Sequence, residues 1–112
     1  MLVRLLYASR AVDTSPASIE TILSQSRQYN PIYGITGILC YGGGIFLQAI
    51  DGGRDAVSEL YGRIQADSRH THVVLLHYEE ISERRFSSWT MGQVNLERVN
   101  ASIVLKYSQR QI

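Results

Sequence analysis

Residues 34–51, GITGILCYGGGIFLQAID, decide the fold, and the rest of the chain is read outward from them. The runs 34–41 (GITGILCY) and 45–51 (IFLQAID) are short and apolar, and the glycines Gly42, Gly43 and Gly44 lie between them. Two such runs joined by a glycine turn predict a β-hairpin. Upstream, Asp13-Thr14-Ser15-Pro16 marks a helix start, with Ser15 as N-cap and Pro16 at the first helical position. Ile19, Ile22, Leu23 and Ser26 then recur at helical spacing over roughly three turns. Pro31 disfavours the helical region for the residue before it, so the helix is expected to stop near Asn30. Further upstream, residues 2–9 (LVRLLYAS) read as a strand with Val3, Leu5, Tyr7 and Ser9 on one face. Downstream, Gly52-Gly53 is expected to break the second hairpin strand. Val57, Leu60, Tyr61 and Ile64 mark a second helix ending near Asp67, and 73–78 (VVLLHY) reads as a fourth strand. A long polar turn over 79–88 and a fifth strand over 89–94 follow. Leu96, Val99, Ile103, Val104 and Tyr107 predict a C-terminal helix.

The order β-α-β-β-α-β predicts an α+β, ferredoxin-like sandwich with both helices on one sheet face, an extra fifth strand and a C-terminal helix. In this reading the first and third strands are central, parallel neighbours. Residues 1–95 form the core and 96–112 a helical extension. A chain of 112 residues has room for one domain and buries about two-thirds of its unfolded surface. Eleven Lys and Arg against ten Asp and Glu argue against a module living on nucleic-acid phosphates or a polybasic membrane binder. One cysteine, Cys40, excludes an internal disulfide and a Cys-rich zinc site. No apolar run reaches the ~18 residues of a membrane span, and the N-terminus is too short and strand-like for a signal peptide. The expected address is the cytoplasm.

Polar residues interrupt the face that the helices should cover. Tyr7 shares the face of Val3 and Leu5, and Gln48 that of Phe46 and Ile50. Ser26 continues the first helix's stripe, and Asp67 continues the second's one turn after Ile64. Arg63 and Asn30 fall near the same edge. A buried polar group without a partner costs about 1–3 kcal/mol, so this set implies a mutual network or a polar ligand held between the helices. Singly, each reads as an ordinary structural residue. A side-chain amide offers an acceptor and two donors, which suits a ring edge of carbonyls and N–H such as that of a flavin. Gln48 beside the oxidisable phenol of Tyr7 is an arrangement for moving an electron and a proton together. Ile22 and Ile64, one from each helix, are placed to clamp a flat ring.

The chain resembles the BLUF family of flavin-based blue-light sensors. The resemblance rests on LVRLLYAS, on NPIYGITGILCY around 30–41, on IFLQAIDG at 45–52, on RIQADSRH at 63–70 and on FSSWTMGQVN at 86–95. It implies non-covalent FAD with its ring between the helices, Tyr7 as electron donor and Gln48 as the amide that switches its hydrogen bonds. It further implies that Asn30 holds the O4 and N3 edge of the ring, Arg63 the O2 carbonyl and Asp67 the ring or ribityl side, with Ser26 a weaker contact. Trp89 and Met91 would relay the change outward through the last strand. Two positions depart from the family pattern. Asp51 replaces a usual Glu, which is expected only to alter a turn, and Tyr29 replaces a usual His or Asn.

An RNA-binding module shares the strand order but needs exposed aromatics and a basic residue on the third strand, which IFLQAID lacks. A small acylphosphatase-like phosphohydrolase is the other rival. His70, His72 and His77 are its only acid/base or metal candidates, and they read as solvated loop and strand-edge residues without a ligand set. The expectation is therefore a sensor and not an enzyme. It is expected to stand alone, to act through an unidentified downstream protein or its own homo-oligomer, and to contact neither nucleic acid nor membrane.

Overall fold

The computed structural model describes residues 1–87 and 90–95. Trp89 and the helix expected over 96–112 lie outside the described residues. Strand β1 spans Leu2–Ala11, helix α1 Pro16–Tyr29, β2 Thr36–Gly42, β3 Ile45–Gly53, helix α2 Arg54–Gln65, β4 His70–Ile81 and β5 Gly92–Asn95. They build one five-stranded sheet in the order β4-β1-β3-β2-β5. This is the expected α+β, ferredoxin-like architecture. No helix among the described residues is long and apolar enough to cross a membrane.

One expectation is reversed. β1 and β3 are central neighbours, but they pair antiparallel, with Tyr7 opposite Gln48. The geometry leaves no other choice: the α1 crossover returns the chain so that β2 runs parallel to β1, and the tight hairpin then turns β3 round. The hairpin turns on Gly43 (φ 60°) and Gly44 (φ 77°), both in the left-handed region, while Gly42 pairs with Ile45. A two-residue loop of this kind matches the strand twist and favours glycine at both places.

Ser15 caps α1 as expected, its Oγ accepting from the Ser18 N–H at 3.3 Å. The helix ends where predicted but not for the predicted reason. Asn30 keeps helical angles (φ −59°, ψ −41°), and Pro31 stops the helix because it has no N–H to donate. β3 continues through Gly52-Gly53, paired to the start of β1. Gly52 lies so close to its surroundings that a Cβ would sit 3.2 Å from both Ile35 and Val57. β4 is also longer than expected. Register shifts opposite Leu6/Tyr7 and Ala8/Arg10 obscure its alternation, yet it pairs with β1 along its whole length. Asp67 lies beyond α2, in the turn leading to β4, and not on the helix's stripe.

Both helices cover one face of the sheet. Val3, Leu5, Leu39, Phe46 and Ile50 from the strands meet Ile19 and Leu23 of α1 and Val57 of α2, all buried. β5 runs parallel to β2 and brings Met91, just before it, into the same core.

Candidate functional site

Between the two helices, over the sheet, lies a cleft of about 290 Å³. Tyr7 and Gln48 form its floor, because adjacent strands put opposed residues on the same face. Ile22 and Ser26 of α1 and Ile64 of α2 supply the walls, and Asn30, Arg63 and Asp67 sit around the same opening. The cleft thus gathers every residue expected from the sequence to contact a ligand. The expected relay residue Met91 contacts Gln48 of the floor through its sulfur, and Trp89 lies outside the described residues.

The floor is a directed chain of hydrogen bonds. The Tyr7 hydroxyl donates to Gln48 Oε1, and Gln48 Nε2 donates to Met91 Sδ at 3.5 Å. Tyr7 and Gln48 are 3% and 6% exposed, so water does not compete for these bonds. Burial is the main cause that pushes the Tyr7 phenol well above its ordinary value, reinforced by Asp67 and opposed by Arg69. The phenol is therefore a neutral donor throughout the physiological range. Asn30, 1% exposed, donates from Nδ2 to the Thr90 carbonyl at 2.6 Å.

Several residues were not anticipated. Arg69, in the turn after α2, lines the cleft, chelates Asp67 and donates to Gln25 Oε1 of α1 at 2.6 Å. Its hydrogen bonds hold the Asp67 carboxyl below the usual carboxylate range. Arg63 rests over the Tyr29 ring at 4.9 Å, so the departure at Tyr29 supplies a seat for a cation. The Asp67-x-Arg69 spacing across a turn was the signal available for Arg69.

His70 is no solvated loop residue. It is 9% exposed, with Nδ1 at 2.7 Å from Ser9 Oγ and Nε2 at 2.6 Å from the Ile64 carbonyl. A carbonyl only accepts, so Nε2 carries a proton and the ring ties the end of α2 to β1. His72 and His77 are exposed, and no group of three metal-ligating side chains occurs among the described residues. The far face of β1 and β3 presents Leu6, Ala8, Leu47 and Ala49 beside Arg4, which is paired with Asp51, and these positions carry none of the aromatics an RNA module needs.

Apolar walls, side-chain amides and two guanidinium groups fit a flat, polar-edged ring carrying an anionic tail. The comparisons agree. The family model described as sensors of blue-light using FAD matches residues 2–92. The chain is 38% identical over 100 residues to the photoactivated adenylate cyclase subunit beta of Euglena longa, covering 86% of this chain and 11% of that protein. It therefore spans about a tenth of the length of the curated cyclase relatives it matches. Among solved structures, a bacterial light-regulated adenylyl cyclase matches with a TM-score of 0.89 at 32% identity, over 98% of this chain and 34% of that one. BlrB, a BLUF protein in its dark state, matches at 0.82 and 38% identity, over 98% of this chain and 92% of that one. The chain belongs to the BLUF family, the sensors of blue light that use FAD.

Proposed function

We propose that the Tyr7–Gln48 pair is the light-sensing element of this chain and that the cleft above it holds the FAD ring without a covalent bond. Ile22 and Ile64 clamp the ring, Asn30 and Arg63 meet its carbonyl edge, and Asp67, with Ser26 beside it, orients the side that carries the tail. Arg69 adds a second cation at that opening. FAD, when bound, supplies a blue-light-absorbing ring whose excited state accepts an electron. Tyr7 is the redox-active neighbour: as a neutral phenol hydrogen-bonded to the Gln48 amide oxygen, it would give up its proton along that bond as it gives up an electron, the amide passing a proton on to the ring's edge, and both would return to Tyr7 by the same route. Gln48 then re-forms its hydrogen bonds in a second arrangement, since an amide presents a donor on one side and an acceptor on the other. Met91 feels the change because Gln48 Nε2 contacts its sulfur.

The buried Tyr7–Gln48–Met91 chain at the floor of a two-helix cleft carries this reading. The chain acts as a sensor without turnover of its own. It passes its signal to a separate downstream protein or through its own oligomer, and the cytoplasmic address expected from the sequence is part of the same reading. The test is the absorption spectrum of the FAD-loaded protein before and after blue light. The wild type should shift slightly to the red and recover in the dark. Tyr7→Phe and Gln48→Leu should each keep the flavin and lose the shift. A normal red shift in Tyr7→Phe would sink the role given to Tyr7.

A further inference from the structure

A second charged cluster lies on the other face of the sheet, and the light-sensing chain makes no use of it. Asp51, near the end of β3, is fully buried, although its position had been expected only to shape a turn. Its carboxylate accepts from Arg4 Nε at 2.8 Å and Nη2 at 2.9 Å, on β1, and from the Arg85 backbone N–H at 2.9 Å. Arg84 donates to the Asp51 carbonyl at 3.3 Å and to Thr36 Oγ1 at 3.2 Å. Glu79 of β4 lies 3.6 Å from Arg4 Nη1. A buried carboxylate on a central strand is thus satisfied jointly by a neighbouring strand and by the connector between β4 and β5.

The far end of that connector is tied to the cleft. Asn30 holds the Thr90 carbonyl, Arg27 Nε donates to the Met91 carbonyl at 3.4 Å, and Gln48 holds the Met91 sulfur. The connector is pinned at both ends, and β5 begins immediately after Met91. With its first end loose, it would absorb a sub-ångström change at Gln48 by relaxing. With Arg84 and Arg85 held on one side and Thr90 and Met91 on the other, a shift at Met91 is passed to β5, which follows it directly.

We propose that Asp51 is a positioning residue for signal output: by anchoring the connector through Arg85, it makes a rearrangement of Gln48 move Met91 and β5. The proposal rests on the reading of Gln48 given above. Because the role requires a carboxylate and not one exact length, Asp51→Glu should preserve it and Asp51→Asn should not. An amide in place of the carboxylate sets an N–H against a donor.

The experiment loads the full chain with FAD and follows the flavin spectrum, hydrogen exchange over residues 84–95 and the methyl signal of Met91, one of two methionines in the chain. In the wild type, light should shift the Met91 signal and change exchange at 92–95. Asp51→Asn should keep the red shift, speed dark exchange at 85–91 by ~10-fold, as befits loss of a charge-assisted hydrogen bond, and lose the light response at 92–95. Asp51→Glu should restore that response. If Asp51→Asn does not take up FAD, Arg85→Pro, which removes the N–H that the Asp51 carboxylate accepts and leaves the Arg4–Asp51 pair in place, is read in the same way. Asp51→Asn, or Arg85→Pro read in its place, showing the wild-type light response at Met91 and 92–95 overturns the proposal while leaving the reading of the cleft intact. A wild type with no red shift removes both.

Discussion

Tyr7 shows how much one buried side chain decides. Its phenol sits on a strand face among Val3, Leu5 and Ile50, which desolvates it, and Gln48 gives it an acceptor. Both favour the neutral form. The ordinary phenol value is 10.0 and burial raises it in the folded chain, so above that pH the native state binds more protons than the unfolded one. Stability must therefore fall as pH rises through the unfolded value towards the folded one. Urea midpoints from pH ~9 to ~11 should drop in the wild type and drop less in Tyr7→Phe, with a residual slope from Tyr61, whose phenol burial also raises. An equal drop in both proteins would show that the Tyr7 phenol ionises as readily folded as unfolded. At this scale the periodicity of the strands was enough to place Tyr7 and Gln48 on one face. Arg69 escaped it because turns obey no period, and His70 because it opens β4 ahead of the run 73–78 that reads as a strand; the placement of both depends on how α2 hands the chain to β4.

Among the elements, the β2–β3 pair is the most tightly specified. Gly37 lies opposite Ile50, and a Cβ there would sit 2.3 Å from the Ala49 carbonyl oxygen. No side-chain rotation relieves a clash with backbone, so Gly37→Ala must separate the strands or bend one. The expected cost is about 1–3 kcal/mol, the range for overpacking a filled interior, read as a lower urea midpoint. An unchanged midpoint would mean the strands have slack there. The cleft should suffer too, because Leu39 and Gln48 are paired neighbours in the same ladder. α1 shows the complementary lesson. Ser15, Pro16 and the Ile19/Leu23 stripe made it legible from end to end. β4 was legible only in its centre, because its bulges against β1 break the alternation that a strand normally announces.

At the scale of the whole molecule, a few polar bridges join the two helices across the cleft. Arg69–Gln25 spans from the turn after α2 to α1, and Arg63 reaches across to Tyr29. A ligand filling the gap adds contacts that only the folded chain possesses. FAD at a hundredfold its dissociation constant should therefore stabilise the protein by about 2.7 kcal/mol through mass action. Thermal unfolding should move upward with added FAD, and the increment should shrink in the double variant Asn30→Ala, Arg63→Ala. The double variant gaining as much as the wild type would remove those two residues from the ligand's edge.

The alternating strands, the capped and proline-ended first helix and the glycine turn determined the α+β class, because each is a local preference that neighbouring residues enforce. The polar interruptions on an apolar face determined which residues gather around one cleft, since buried polar groups require partners. Tertiary structure alone decided the rest. The direction of β3 against β1 followed from chain connectivity. The conversion of Asp51 from an expected turn residue into a buried anchor required Arg4 and Arg85 to arrive from β1 and from the connector after β4. His70 became a tie between α2 and β1 in the same way. Such partners lie far apart along the chain, and no window of sequence contains them together.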